Sequence, residues 1–453
     1  MVKPSLPKGM RDYLPEEMQK RRFLIETIRE TFEKFNYKPV QTPAMENLAT
    51  LTEKYGEEGD QLLFRVLRSG DFVQKANQQD WNAQNSRKLA AQIADKGLRY
   101  DLTVPLARLV AMHRHELQFP FKRYQVQPVW RADRPQKGRY REFFQCDADV
   151  IGSDSLVNEA EFVQIIDEVF SALNVRVSVH LNNRKILVGL AEYIGFPDRI
   201  IDITTAIDKM DKIGLENVCC ELTDKGLTGE AVDKLKPVLQ LEGSNAEKIA
   251  ELRTILSDSE TGLQGLAEME EIFSIVDQTP PQCELSFDLC LARGLNYYTG
   301  TIIEVKAKDV AIGSICGGGR YDDLTGIFGL ESVSGIGISF GAERIYDVML
   351  ALDLFPEGVD TITQLMAVNF GTKERDYCLP LLSRLRKKGI SCEMYPEAAK
   401  VKKQMQYANK NNIPFVLMAG EEEINQRLYS LKNMRTGEQQ QLTEDMIAHA
   451  LIK

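Results

Sequence analysis

The sequence predicts an α+β protein of several domains, and three observations point there. A long helical periodicity opens the chain, strand-like alternations recur on both sides of a charged helical stretch, and the C-terminal part alternates short strands with helices. At 453 residues the chain exceeds one ordinary core, and at roughly 150 residues per domain about three are expected. A hydrophobic fraction of 43% with 27% charged residues suits a globular protein and excludes a disordered or fibrous one. The opening MVKPSLPKGM lacks the apolar run of a signal peptide. No window approaches the roughly 20 apolar residues of a membrane helix, so a cytoplasmic location is expected.

Taken in order, Leu24, Ile28, Phe32 and Phe35 recur at helical spacing between Glu16 and Tyr37, and Pro39 and Pro43 forbid continuation. Blocks of mixed apolar and charged residues follow at 98–114 and 122–152, then a helical stretch from Val157 to Leu173. Val175, Val177, Val179 and Leu181 alternate as a half-buried strand does. From Lys185 to Gln278 the texture becomes helical and Leu/Ile-punctuated, as in AEKIAELRTIL, and reads as a helical insertion. Strand-like runs return at CELSFDLCLA and TIIEVKA, a glycine-rich turn is expected at Gly317 to Arg320, and GIGISFGAERIYDVMLAL reads as a strand feeding a helix. Beyond Pro356, QLMAVNF, ERDYCLPLLSRLRKKG, SCEMY, AAKVKKQMQYANK and IPFVLMAG alternate strand and helix, which predicts a small α/β domain with a largely parallel sheet. The expected division is 1–184, a 185–280 insertion, 281–356 completing the first core, and 361–453.

The net charge of −10 argues against nonspecific coating of nucleic acid, but the charge is unevenly placed. From Lys122 to Glu142 seven basic residues face only Asp133 and Glu142, and from 361 onward 14 Lys/Arg face 10 Asp/Glu. Either patch alone would read as a solvated charged face; together they allow a polyanion at selected places. The eight cysteines (146, 219, 220, 283, 290, 316, 378, 392) include no CxxC pair, and the four histidines show no metal-binding spacing, so reduced structural thiols and no protein-held metal are expected.

Chemistry concentrates in VWRADRPQKGRYREFFQCDADVIG, residues 129–152. Arginines 131, 134, 139 and 141 are divided by a Pro-Gln-Lys-Gly turn, so a hairpin could present several guanidinium forks, which suit phosphate oxygens. Asp147 and Asp149 alternate with apolar neighbours and so share a face of the outgoing strand. A cationic phosphate site beside carboxylates fits a zwitterionic substrate plus a nucleotide; spacing alone would equally fit a surface hairpin with ion pairs. Upstream, LRYDLTVPLAR sets Asp101 and Thr103 two apart, on one face if extended.

The 129–152 block resembles motif 2 of class II aminoacyl-tRNA synthetases, and its stretch from Arg131 through Gln145 is similar to the histidyl enzymes. LARGLNYYTGTIIEV (291–305) and SICGGGRYDDL (314–324) resemble the two signature peptides of that family. GISFGAERIYDVM resembles motif 3, and the first helix with NYKPVQTPAMENL resembles motif 1, which builds a homodimer interface. The resemblance implies a class II antiparallel-sheet catalytic core, a helical insertion and a C-terminal anticodon-binding domain. It also implies roles. Arg131 would hold the ATP α-phosphate and the histidine carboxylate, Phe143 would stack on adenine, and Arg139 would meet the tRNA acceptor end. Asp101, Thr103, Gln145 and Asp149 would bind histidine, and Tyr297 and Tyr298 would line the imidazole pocket. Arg293 would stabilise the pentacoordinate α-phosphate, and Arg344 would grip the γ-phosphate. ATP, Mg²⁺, L-histidine, tRNA(His) and a second copy of the chain are the implied partners.

Among rivals, the synthetase-like regulatory subunit of ATP phosphoribosyltransferase typically lacks a C-terminal domain and tends to lose signature residues, whereas Arg131, Arg293 and Arg344 are all present here. Other class II synthetases would share motifs 2 and 3 but not the Tyr297/Tyr298 peptide. AIDKMDKIGL (206–215) superficially resembles a class I KMSKS loop, but no HIGH-like partner accompanies it, so a surface helix is expected. Asp101 and Asp149 stand where many relatives carry Glu.

Overall fold

The structure, a computed structural model, describes residues 3–52, 61–136, 138–292, 297–322 and 324–452. It divides into two compact units, residues 1–11 with 24–354 and residues 12–23 with 355–453.

The strands of the larger unit are β1 (Lys38–Pro39), β2 (Met45–Asn47), β3 (Arg65–Leu67), β4 (Ala94–Leu98), β5 (Phe121–Trp130), β6 (Glu142–Ile151), β7 (Val177–Asn183), β8 (Glu284–Phe287), β9 (Thr301–Ala307), β10 (Cys316–Tyr321) and β11 (Gly335–Gly341). Eight of them form one sheet in the order β1-β5-β6-β11-β10-β9-β7-β8, and β2-β4-β3 form a small second sheet. The six inner strands pair antiparallel, with parallel pairs only at the two edges.

One face of the large sheet is covered by α1 (Pro15–Lys34) and by α3 (Val157–Ala172); α2 (Thr103–Met112) lies between them in sequence. Leu24, Ile28 and Phe32 are fully buried, as their spacing predicts. Phe32 and Phe170 close on Phe340 of β11 with ring centroids 5.8 and 5.6 Å away, a tilted aromatic cluster that fixes helices to sheet. Between β7 and β8 the chain is helical: α4 (Arg184–Tyr193), α5 (Ile200–Ile207), α6 (Met210–Asp224), α7 (Gly229–Leu239), α8 (Asn245–Ile255) and α9 (Glu260–Val276). Two glycines explain how closely α4 and α9 pack: a Cβ at Gly189 would lie 2.7 Å from the Cα of Gly262. Ser244 and Glu247 cap α8 reciprocally. The lysines of the KMSKS-like stretch are ordinary here, Lys209 binding Glu221 at 2.6 Å.

Two local expectations need correction. Gly317 to Arg320 is not a turn: it is the body of β10, hydrogen-bonded on both sides. Glycine is required there because a Cβ at Gly318 would stand 2.1 Å from the Gly337 carbonyl oxygen, so the signal read as punctuation reports close packing of strands. Nor is the Asp101–Thr103 segment extended. Leu102 is in the αR region and Thr103 begins α2, with Asp101 Oδ1 accepting the Val104 N–H at 3.1 Å.

The smaller unit contains β12 (Leu365–Ala367), β13 (Cys392–Met394), β14 (Phe415–Met418), β15 (Tyr429–Asn433) and β16 (Gln439–Leu442), ordered β13-β12-β14-β15-β16. The first three pair parallel, as expected, but β15 and β16 add an antiparallel extension. Its main core packs Leu381, Leu382 and Leu385 of a helix at Thr372–Lys387 and Ile447 of a helix at Glu444–Leu451 against Leu365 and Leu417. Met366, Val368, Val416 and Ala408 bury the other side. Among the described residues no helix is long and apolar enough to cross a membrane.

Candidate active site

Strand alternation divides the large sheet into two chemically distinct faces. Residues opposite one another on antiparallel strands point the same way. Arg123, Gln125 and Gln127 of β5 face Asp149, Asp147 and Gln145 of β6, which face Gly337, Ser339 and Gly341 of β11. The intervening Tyr124, Cys146, Ala148, Val150, Ile338 and Phe340 form the apolar face, and all are buried.

On the polar face, the glutamines of β5 are occupied by protein. Gln125 Nε2 donates to Thr42 Oγ1 at 2.8 Å and also to Gln127 Oε1, which accepts from Arg99 and from the Thr42 N–H, each at 3.2 Å. On β6 acceptors are left over. Gln145 Nε2 donates to Ser339 Oγ at 2.9 Å, but among the described residues Gln145 Oε1 and Asp147 Oδ1 have no hydrogen-bond partner. Buried acceptors without donors are costly and mark a place where a ligand supplies them.

Around β6 gathers an anionic, phenol-lined pocket. Asp147 and Asp149 are both 2% exposed. Asp149 pairs with Arg123 Nη2 at 2.6 Å and accepts from the Tyr321 hydroxyl. Tyr297 stacks edge-on against both Tyr298 and Tyr321, with centroids 5.2 and 6.0 Å apart, and its hydroxyl lies 3.5 Å from Asp101 Oδ2. Burial pushes the Asp147 carboxyl up to about 7; Arg123 opposes that, while Asp149 and Asp101 reinforce it. Asp149 is also raised by burial, against the pull of Arg123 and Tyr321. Burial and the neighbouring carboxylates raise the Tyr298 and Tyr321 phenols, which therefore remain hydrogen-bond donors. Glycines make the space: a Cβ at Gly337 would stand 2.0 Å from Asp149 Oδ1, and one at Gly335 2.4 Å from the Tyr321 ring.

Phe143 lies on this same face, so the row Phe143, Gln145, Asp147, Asp149 spans about 20 Å at the strand rise. At its Phe143 end sit the arginines. Arg131 places its guanidinium over Tyr100 and Phe143, 4.2 and 5.2 Å from the ring centroids, and donates Nε–H to the Tyr100 carbonyl at 3.1 Å. Arg344 is the third residue of α10 (Ala342–Ala351) and donates to the Gly138 and Ser314 carbonyls at 2.8 and 2.7 Å. Its neighbour Glu343 accepts the Phe144 N–H at 2.9 Å, and Tyr140 reaches Asp347 of the same helix at 3.0 Å. The loop after β5 is thereby fastened to α10. Arginines 131, 134, 139 and 141 lie on that loop beyond the strand ends, with Arg134 and Arg139 exposed.

The fold thus brings Asp101, Asp149, Tyr297 and Tyr298 together, with Gln145 four residues along β6 from Asp149 and Thr103 half-buried at the start of α2, and sets Arg131, Phe143 and Arg344 toward the other end of the face. Arg293 lies outside the described residues. Sequence reasoning gave no site role to Arg123, Tyr321 or Ser339; it set Asp147 with Asp149 among the carboxylates beside the phosphate site but named no contact for it. Arg320 of the GGGR run points to the apolar side, where it forms a bidentate, buried pair with Glu159 at 2.6 and 2.8 Å and also donates to Ser334. It locks β10 to α3 and does not face the pocket. No group of three His, Cys, Asp or Glu side chains among the described residues could hold a metal ion.

The sequence model of the histidyl-tRNA synthetase family matches residues 9–345, and that of an anticodon-binding domain matches 364–453. Histidine–tRNA ligases of Phocaeicola vulgatus and Porphyromonas gingivalis are each 58% identical, over 444 and 445 residues, covering 98% of both chains. The crystal structure of histidyl-tRNA synthetase from Nostoc sp. PCC 7120 superposes with a TM-score of 0.85 at 31% identity, covering 100% of this chain and 99% of that one. A Bacillus halodurans C structure described as an ATP phosphoribosyltransferase regulatory subunit/histidyl-tRNA synthetase shares the fold, with a TM-score of 0.70 at 21% identity over 92% of this chain and 99% of that one. With a family match across its catalytic sheet and relatives of more than half identity along its whole length, the chain belongs to the histidyl-tRNA synthetase family.

Proposed function

We propose that this chain activates L-histidine with ATP and transfers the histidyl group to tRNA(His), working as a homodimer in the cytoplasm. The observation that supports this best is the polar sheet face itself: a buried acid-and-phenol pocket at one end, and Arg131, Phe143 and Arg344 toward the other. Histidine is a cation at its amino end and a hydrogen-bonding ring at its side chain, and the pocket offers carboxylates for the first and phenols for the second. In this reading Asp101, Thr103, Gln145 and Asp149 hold the amino acid, and Tyr297 and Tyr298 line the imidazole. Phe143 stacks on adenine, and Arg131 and Arg344 bind phosphates.

A carboxylate oxygen of histidine attacks the ATP α-phosphorus and pyrophosphate leaves. Positioning and fixed positive charge at Arg131, Arg344 and, by family resemblance, Arg293 lower the barrier without a protein nucleophile. The 3′-hydroxyl of the terminal tRNA adenosine then attacks the carbonyl carbon of the adenylate, and AMP leaves. Arg139, exposed on the loop after β5, would meet that acceptor end. The 364–453 region would read the anticodon, where unstacked bases are open to side chains. Mg²⁺ would enter with the ATP phosphates and offset their charge.

Pyrophosphate exchange with each of the twenty amino acids tests the reading. Exchange with histidine alone is the expected result. No exchange with any amino acid would favour the regulatory-subunit alternative, and exchange with another amino acid would move the chain to a different substrate.

A further inference from the structure

Resting on the histidine pocket proposed above, we propose that Asp147 is a third acidic contact for the substrate, its Oδ1 accepting an N–H from the bound amino acid between the Gln145 and Asp149 contacts. Asp147 lies on the polar face one strand step from each of those residues, it is 2% exposed, and its Oδ1 has no donor among the described residues. Gln125, directly across on β5, cannot supply one, because its amide N–H groups go to Thr42 and Gln127.

The surrounding charges say what kind of group is missing. Asp147 feels Arg123 from β5, Asp149 from its own strand, Asp101 from the turn before α2 and the Ser339 hydroxyl from β11. Tyr298 and the Cys316 thiol of β10 also sense its charge, as does the buried Arg99. Among the described residues, Asp147 and Asp149 share the Arg123 guanidinium, which pairs directly with Asp149, and Asp101 adds a further carboxyl that disfavours charge on Asp147. Burial beside these carboxyls pushes Asp147 up to about 7, so it carries a proton part of the time near neutral pH. When the substrate ammonium enters, its charge takes the place of that proton. Asp147 ionises, the proton passes to solvent, and the new carboxylate accepts a charge-assisted hydrogen bond. Histidine binding is thereby coupled to release of a proton, and a neutral ligand of the same shape gains nothing from the site.

The test uses the full-length enzyme and L-histidine. In histidine-dependent pyrophosphate exchange, Asp147→Asn should raise the KM for histidine roughly 10- to 100-fold, the size of a hydrogen bond to a charged group, with the KM for ATP nearly unchanged. Calorimetry of histidine binding at about pH 6.5, in buffers of different ionisation heat, should show wild type releasing up to about one more proton than Asp147→Asn; the subtraction cancels the imidazole of the ligand itself. Asp149→Asn serves as the reference. If it raises the histidine KM while Asp147→Asn changes neither KM nor proton count, the role of Asp147 is overturned and the pocket stands. If neither variant affects histidine, the pocket assignment falls and takes this inference with it. Should Asp147→Asn not fold, Ser339→Ala, which removes the hydroxyl shared by Gln145 and Asp147, replaces it: a raised histidine KM supports the contact and an unchanged one overturns it.

Discussion

The two faces of strand β6 are made from the same ten residues and obey opposite rules. Cys146, Ala148 and Val150 are fully buried among apolar side chains, and the register that puts them there leaves little freedom of size. Gln145, Asp147 and Asp149, one residue out of phase, put desolvated polar groups and a cluster of carboxyls into the other face. A one-residue phase shift therefore separates the residues that build the core from those proposed to bind the substrates. Substitutions on the first face should cost stability and spare turnover per folded molecule. Those on the second should do the reverse.

The largest expected effect lies on the apolar side. Phe340 touches both Phe32 and Phe170, so Phe340→Ala opens a cavity where two helices meet the sheet and should destabilise the protein by about 3–5 kcal/mol. Thermal unfolding measures the loss, and exchange activity per folded molecule should persist at a temperature where the variant remains folded. A variant that folds normally but fails in exchange would show that the two faces are not separable. Next in size, at the phosphate end of the polar side, Arg344→Ala should lower histidine-dependent pyrophosphate exchange by about 100- to 1,000-fold, the range seen when one preorganised charge stabiliser is removed. The KM for ATP should rise and histidine binding should hold. Equal damage to both substrates would mean that its bonds to Gly138 and Ser314, which order the loop after β5, matter more than its charge.

How much of this was legible follows the same division. Periodicity gave the helix at Leu24, Ile28 and Phe32 and the shared face of Asp147 and Asp149, because burial on one side of an element leaves a repeating trace. It misread Gly317 to Arg320, since a glycine run marks a turn unless one knows that the Gly337 carbonyl lies where a Cβ would go. It passed over β15 and β16, because YSLKN alternates over only five residues and QQQL has a single apolar residue. At the site, the residues named were those that resemble a motif. Arg123, Tyr321 and Ser339 were missed because their importance lies in partners on distant strands: Tyr321 reaches Asp149 across 172 positions, and Gln145 reaches Ser339 across 194. No local pattern records such pairs.

The smallest of these effects sharpens the comparison furthest, because it has the opposite sign. A carboxyl whose folded-state pKa lies above its unfolded value binds more protons in the native state, so stability falls as pH rises between the two values. For Asp147, with an ordinary value of 3.8 and a folded value of about 7, the penalty is absent below about pH 4, grows between pH 4 and 7, and is complete above pH 7. Three units correspond to roughly 4 kcal/mol in a rigid pocket, and relaxation with water entry reduces this to on the order of 2 kcal/mol. Asp147→Asn removes the titration and keeps the shape. It should therefore unfold at a higher denaturant concentration than wild type at about pH 8, and the two should converge near pH 4. A variant that is less stable at every pH would mean that the Asp147 carboxylate supports the fold through Arg123 and Ser339, and the polar face would then be structural as well as functional.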